Sequence, residues 1–345
     1  MERPNGRGPH RGPAHHLRLP GPGQTLHARA PGRRAEGVKN HTIPKQEESP
    51  VLSHVHIGCG QITWRGVDED QVLAEIAQAG YEGAPAGPRP GRSTDEILAQ
   101  FAAHGLKPAP GYFAADLWKP EEESTILERA QQFADFCAAA GLTELFVATG
   151  GFNRDVMPSG RTRWQVAGHV APEDSMTDAQ FVQFARTLNR VGEITLAQGV
   201  RTCFHNHVGS VIETGNEIDR LLSLVDPELV FLGPDTGHLA WAGVNVTAFF
   251  RRYAERIKAV HVKDINFAVR DQGVAAGWDY GTFTEQGIWT EMGRGGLDFP
   301  TLFQILADAG FRGWIIVETD VTQLPTPLES AQVSRAYLRT IMERG

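Results

Sequence analysis

Residues 229–238 read Leu-Val-Phe-Leu-Gly-Pro-Asp-Thr-Gly-His. Four apolar residues stop abruptly at Gly-Pro and give way to Asp, Thr and His. A strand buried on both faces is nearly all apolar, so this is a short interior strand whose C-terminal end carries the chemistry. The same change of character recurs on either side: Phe204-His205-Asn206-His207, Val260-His261-Val262-Lys263-Asp264, and Ile316-Val317-Glu318-Thr319-Asp320. His205 lies 30 residues before Asp235, His261 lies 26 after it, and Glu318 lies 57 after His261. The first two separations equal one strand–helix unit. The third is one unit plus an insertion, 265–297, rich in Gly and polar residues.

Working outward, helices fill the intervals. Val72, Leu73, Ile76 and Ala77 recur at helical spacing and Gly80 is placed to end that helix; Ile97, Leu98 and Phe101 repeat the pattern before Gly105. A long helix runs over 121–140 to Gly141. The longest, 177–198, opens with a Thr177/Gln180 capping box and buries Phe181, Phe184, Leu188, Val191 and Ile194. Strands are expected at 54–59, 81–86, 108–113, 144–148, 201–205, 229–233, 258–263 and 313–318, with further helices at 217–225, 246–256, 299–309 and 327–342. Eight strands separated by single helices are parallel βαβ units. In about 290 residues they predict an α/β fold of the (β/α)8 class, a TIM barrel. An open doubly wound sheet is the competing arrangement, but no GxGxxG follows the first strand.

The chain has 345 residues, 41% hydrophobic and 21% charged, enough for one large barrel at 51–345. No stretch has the roughly 18–20 apolar residues of a membrane span. Cys59, Cys137 and Cys203 are far apart and form no CxxC, which excludes a disulfide framework and suits a cytoplasmic location. Residues 1–50 hold eight Pro, seven Gly and a charge balance of +5, with their few aliphatic residues out of any period. They read as a disordered extension with no apolar core of a secretory signal. The remainder carries −13, a poor partner for nucleic acid, whose binding rests on phosphate neutralisation. A small neutral or metal-chelated substrate fits better; nothing in the composition opposes a homo-oligomer.

Equivalent positions on successive barrel strands point to one mouth at the C-terminal face. Asp235, His261 and Glu318 are therefore candidate ligands of one divalent ion taking nitrogen and oxygen donors. A lone strand-end His is more often capped or solvent-facing than ligating, and Asp235 and Asp264 also suit helix N-caps. The coincidence of four strands carrying ligand types at the same end decides for the metal. His207 and His238 are placed to touch substrate. Glu213, in the loop after strand five, reads as a further carboxylate ligand or as a solvent-facing residue. Cys203 reads as barrel core. Trp64, Trp118, Trp278 and Trp289 fall in loops, where they either wall a pocket or, as the default, pack beneath those loops.

These residues resemble the xylose isomerase-like barrels, which include sugar-phosphate isomerases and epimerases and the myo-inosose-2 dehydratase-like branch. The resemblance spans 54–342. It rests on Ile57-Gly58, Ala79-Gly80-Tyr81-Glu82-Gly83, Phe204-His205-Asn206-His207-Val208-Gly209, Asp235-Thr236-Gly237-His238, His261-Val262-Lys263-Asp264 and Gly313-Trp314-Ile315-Ile316-Val317-Glu318. It implies a Mn2+-, Co2+- or Mg2+-type ion held by Glu, Asp, His and Glu, of which Asp235, His261 and Glu318 carry over. Strand five ends here in His205 instead of Glu, so either His205 replaces that carboxylate or Glu213 supplies it. After Gly83, where many relatives carry a glutamate, the chain reads Ala84-Pro85-Ala86.

Isomerisation, epimerisation and β-elimination of a keto-sugar share one hard step, removal of a proton beside a carbonyl. A chelated divalent ion stabilises the ene-diolate, and one such oxyanion donor is worth about 2.7–4 kcal/mol. Lys263, His207 and His238 are the candidate bases; Lys263 is equally an electrostatic partner for a carboxylate or a substrate oxygen. The expected function is a metal-dependent sugar, sugar-phosphate or cyclitol isomerase/epimerase in carbohydrate metabolism. The alternatives are dehydration of 2-keto-myo-inositol in inositol breakdown, abasic-DNA cleavage, which the −13 body opposes, and a non-catalytic sugar-binding barrel.

Overall fold

The computed structural model describes Leu52 and residues 54–342; the segment 1–50, with the disorder expected of it, lies outside the described residues. Strand one (His56–Cys59) pairs in parallel with strand two (Gly83–Pro85) on one side and strand eight (Trp314–Val317) on the other. Strand eight continues to strand seven (Val260–Val262). The other arc runs through strand four (Glu144–Thr149), strand five (Arg201–Phe204) and strand six (Val230–Leu232), again parallel throughout.

The arcs meet at two seams. The single strand expected at 108–113 is two pieces, Lys107–Ala109 on strand two and Tyr112–Ala115 on strand four. Pro110 has no amide hydrogen for the ladder, and Gly111 crowds the neighbouring strand, so pairing passes from one side to the other here. At the second seam, parallel bridges Leu232↔Ile257 and Asp235↔His261 join strands six and seven. The ring is thus closed, with Asp235 and His261 paired across its upper rim.

Helices follow the strands, and their caps match the sequence signals. Thr177 and Gln180 make the expected capping box ahead of Asp178–Ala197. Gly80 and Gly141 end the helices before them at φ of 84° and 71°, a left-handed turn that a Cβ disfavours. No helix among the described residues is long and apolar enough to cross a membrane. The insertion is more ordered than its composition suggested. It folds as a two-stranded antiparallel ribbon (Asp264–Ile265 with Trp289–Thr290) and two helices, Phe267–Ala276 and Tyr280–Glu285. Its caps are Asn266 and Asp279, single side chains that periodicity does not reveal.

The core has two parts. A large shell fills the space between strands and helices, and Trp64, Trp118 and Trp289 are buried there. A small inner cluster of Ala109, Phe146, Cys203, Ala259, Trp314 and Ile316 fills the lumen, confirming Cys203 as core. Phe146 tops this cluster, its ring 4.2 Å from that of His261, so the floor of the mouth is apolar and dry. A Cβ on Gly111 would sit 2.2 Å from the Ala86 carbonyl oxygen. Gly111→Ala is therefore expected to destabilise the fold by about 1–3 kcal/mol through backbone displacement, read as a lower urea midpoint; an unchanged midpoint contradicts this seam.

Candidate active site

Each residue of Asp235-Thr236-Gly237-His238 has a separate physical task. Asp235 uses Oδ1 to accept the His238 amide at 3.0 Å, capping the short helix Thr236–Trp241. Its Oδ2 is buried without a hydrogen bond and faces the mouth. The capping and ligand readings of Asp235 are therefore both satisfied, one per oxygen. Thr236 Oγ1 donates to the Lys263 carbonyl (2.8 Å) and accepts the Lys263 amide (3.0 Å), tying strand six to strand seven. Gly237 leaves room for Lys263 and Trp289, which a Cβ would meet at 2.7 and 3.0 Å. On strand five, Asn206 Oδ1 accepts the Asp235 amide at 3.0 Å. The rims of strands five, six and seven are cross-tied one residue from His205 and Asp235 and two from His261.

Metal-type donors converge there. Donor atoms of His205, Asp235 and His261 all lie within 4.8 Å of one another, and His261 Nδ1 stands 4.0 Å from Asp235 Oδ2 and 3.3 Å from Glu318 Oε2. His205 Nδ1 lies 3.1 Å from the Gly233 carbonyl, which can only accept, so Nδ1 carries the proton and Nε2 keeps the lone pair a ligand needs. His261 Nε2 is buried and unbonded. The two imidazoles and Asp235 Oδ2 fit a divalent ion, while Glu318 stands outside that mutually close triad with Oε2 shared by His261 and Lys263. Glu213 is not brought to this cluster. Its oxygens accept the Gly168 and Gly209 amides, each at 2.7 Å, and it lies beside buried Arg163 instead. Asp264, the other capping candidate, gathers the amides of Ile265, Gly293, Gly295 and Leu297 and so organises the insertion.

Lys263 sits among the carboxylates. Its Nζ is 3.0 Å from Glu318, 3.4 Å from Asp235 and 2.6 Å from Asp320. Burial works against its charge, but Asp235, Asp320 and Glu318 together outweigh burial and hold the ammonium well above the ordinary lysine value. Held as an ammonium among carboxylates, Lys263 is placed as the electrostatic partner that the sequence also offered. Burial opposes ionisation of Glu318 too, yet Lys263 and His261 keep its carboxyl well below the usual range. Asp235, deeper still, is pushed up to about 6 by burial despite the same ammonium.

Beside this set, His207, His238 and Asp320 form a second group of donors within 4.8 Å. The two imidazoles meet with centroids 3.6 Å apart and their planes tilted by 36°. One residue fixes both tautomers. The Val208 carbonyl pairs with His207 Nδ1 at 2.6 Å, and the Val208 amide donates to His238 Nδ1 at 3.2 Å. His207 must then carry a lone pair on Nε2 and His238 a proton on Nε2. Burial lowers His207 to about 4 and His238 well below the ordinary value, so both are neutral at pH 7. His238 Nε2 is 3.4 Å from Lys263 Nζ, placing two donors side by side.

Sequence reasoning missed several neighbours. Asp320 is two residues past Glu318, on the same strand face by alternation, and that signal was available. Tyr112 lies edge-on to His205 at 5.1 Å from the far seam, Phe152 comes from the loop after strand four, and Tyr280, Trp241 and Trp289 wall the histidine pair. No local pattern marks these. Of these, Tyr112 and Phe152 line a cavity of about 390 Å3 together with Arg154, His205, His207, His261, Lys263 and Glu318.

The chain belongs to the xylose isomerase-like TIM barrel family, whose model matches residues 73–341. Within that enzyme family, inosose dehydratase from Geobacillus kaustophilus is 30% identical over 305 residues, covering 84% of this chain and 95% of that protein. Among solved structures, D-allulose 3-epimerase from Methylomonas sp. superposes with a TM-score of 0.61 at 15% identity, covering 84% of this chain and 98% of its own. The probable 3-DHS dehydratase of petrobactin synthesis from Bacillus anthracis gives 0.60 at 12% identity, with 83% and 99% covered. Both structural matches establish the fold.

Two outcomes follow from the electrostatics. Asp235 binds its proton more tightly when folded, so a divalent ion must displace that proton below about pH 6. Apparent Mn2+ affinity of the metal-free protein is expected to fall about tenfold per pH unit below that point, measured by calorimetry; a flat profile contradicts it. Lys263→Met leaves buried carboxylates without their cation and is expected to cost the metal-free protein about 3–5 kcal/mol in urea unfolding. Saturating Mn2+ is expected to recover part of this loss.

Proposed function

We propose that the protein is a metal-dependent dehydratase acting on a keto-cyclitol of the 2-keto-myo-inositol type. The observation that carries this reading is the His207/His238 pair, a proton acceptor and a proton donor fixed side by side by Val208. Epimerisation needs acid–base groups on opposite faces of the reacting carbon. Two groups held next to each other at one side suit loss of water from adjacent carbons. The inosose dehydratase relative, matched over most of both chains, supports the same order and reverses the expectation that put isomerisation first.

We assign His205, Asp235, His261 and Glu318 to the ion, with His205 in place of a strand-five glutamate. Bound there, a divalent ion supplies positive charge where the substrate carbonyl gains negative charge. His207 Nε2 takes the proton from the carbon beside the carbonyl. The C–O bond on the next carbon breaks, and its hydroxyl leaves as water with a proton from the Lys263–His238 donors. A neutral imidazole held as a donor polarises an oxygen without itself bearing charge. Phe146 below and Trp289 beside the site keep bulk water out, which strengthens each of these contacts. The three cysteines are buried and unpaired, consistent with a cytoplasmic enzyme.

The test is product mass. Mn2+-loaded protein given 2-keto-myo-inositol is expected to yield a product lighter by one water, and His207→Ala to lower kcat by about 10²–10⁴ while the protein stays folded. A product of unchanged mass identifies an isomerase, and an unaffected His207→Ala removes the proposed base.

A further inference from the structure

The loop joining strands four and five, 150–176, is held to the turn that carries His205 and His207. Arg163, fully buried, donates to both Glu217 oxygens at 2.8 and 2.9 Å and to the Asp174 carbonyl at 3.1 Å. Glu217 accepts the amides of Glu213 and Thr214, while Glu213 accepts those of Gly168 and Gly209. On the pocket side, the Phe152 amide donates to the Gly209 carbonyl at 2.7 Å, and the Val211 amide to the Gly150 carbonyl at 3.0 Å.

At the pocket end of this loop Phe152 has φ of 48°. That is left-handed backbone, sparsely populated by bulky side chains and kept only where the surroundings over-determine it. Glycine would occupy it without strain, so packing of the backbone does not explain the phenyl group. The ring stands 5.2 Å from that of His207 at 70° and 6.3 Å from that of Tyr280. With Ile62, Pro85, Pro110 and Tyr112 it supplies the apolar lining of the cavity, beside the polar lining of Gln61, Arg154, His207, Lys263 and Glu318.

We propose that Phe152 is the specificity-determining platform for the substrate ring, a role that rests on the keto-cyclitol reading above. A six-membered ring polyol has hydroxyls at its edge and C–H bonds on its faces. The electron-rich phenyl face packs against such a C–H face, which orients the carbonyl edge toward the polar lining. An open-chain keto-sugar has no fixed face to offer and is discriminated against. The strained backbone sets the phenyl group where the ring must lie.

The test compares Phe152→Gly and Phe152→Tyr with the unaltered Mn2+-loaded protein. Turnover of 2-keto-myo-inositol gives KM and kcat; calorimetry with myo-inositol, which lacks the carbonyl, gives Kd; thermal unfolding gives Tm. In Phe152→Gly, KM and Kd are expected to rise by about tenfold or more with a smaller change in kcat, while Tm holds or rises as strain is released. Phe152→Tyr, keeping the ring, is expected to restore KM and Kd. Unchanged KM and Kd with a lowered Tm make Phe152 a packing residue and overturn the proposal. So does a fall in kcat at constant KM, which would mean that it acts through His207. If the unaltered protein turns over the ketone, either result rejects the Phe152 role alone. If it neither turns over the ketone nor binds myo-inositol, the dehydratase reading falls with it.

Discussion

Everything at the mouth of this barrel is arranged around buried negative charge. Asp235, Glu318 and Asp320 crowd into a space floored by Phe146, where water cannot screen them. Such a cluster survives only if positive charge is fixed within it. Lys263 supplies one charge from strand seven, and the idle lone pairs of His205, His261 and Asp235 offer a place for more. Lys263 and His261 hold Glu318 ionised, the three carboxylates hold Lys263 as ammonium, and burial keeps His207 and His238 neutral.

The ring geometry makes this concentration of charge possible. Parallel strands in register place His261 opposite Asp235 on one side and two residues short of Glu318 on the other. A slip of one residue would turn each side chain to the opposite face, so Asn206 and Thr236, which pin neighbouring rims together, protect the chemistry as well as the fold. Val208 applies the same economy to protons. Its peptide groups orient two imidazoles oppositely, giving an acceptor and a donor without any additional side chain.

The barrel and most of the polar cluster could be read from the sequence because both follow from short-range patterns. Apolar runs ending in His, Asp or Glu at one-unit spacing mark the rim, and capping boxes with terminal glycines mark the helices. Strand three was misread as continuous because Pro110-Gly111 lets one strand serve two neighbours, a property of the closed ring and not of the local residues. Glu213 was an ambiguous candidate because its sequence position is adjacent to the site; only the buried Arg163 and the Gly168 and Gly209 amides reveal its structural task. The aromatic wall from Tyr112, Phe152 and Tyr280 is assembled from three distant segments and has no sequence period at all. The Lys263 ammonium likewise rests on Asp235, Asp320 and Glu318 together, and Asp320 is a partner that alternation places on the right face but that no motif singles out.

The most direct measurement is the position of the ion itself. Crystals grown with Mn2+ and recorded at wavelengths sensitive to manganese are expected to show one anomalous peak within bonding distance of His205, Asp235, His261 and Glu318, with Lys263 adjacent and unligated. A peak bound through Glu213, or one that leaves any two of those four side chains outside bonding distance, would contradict the account.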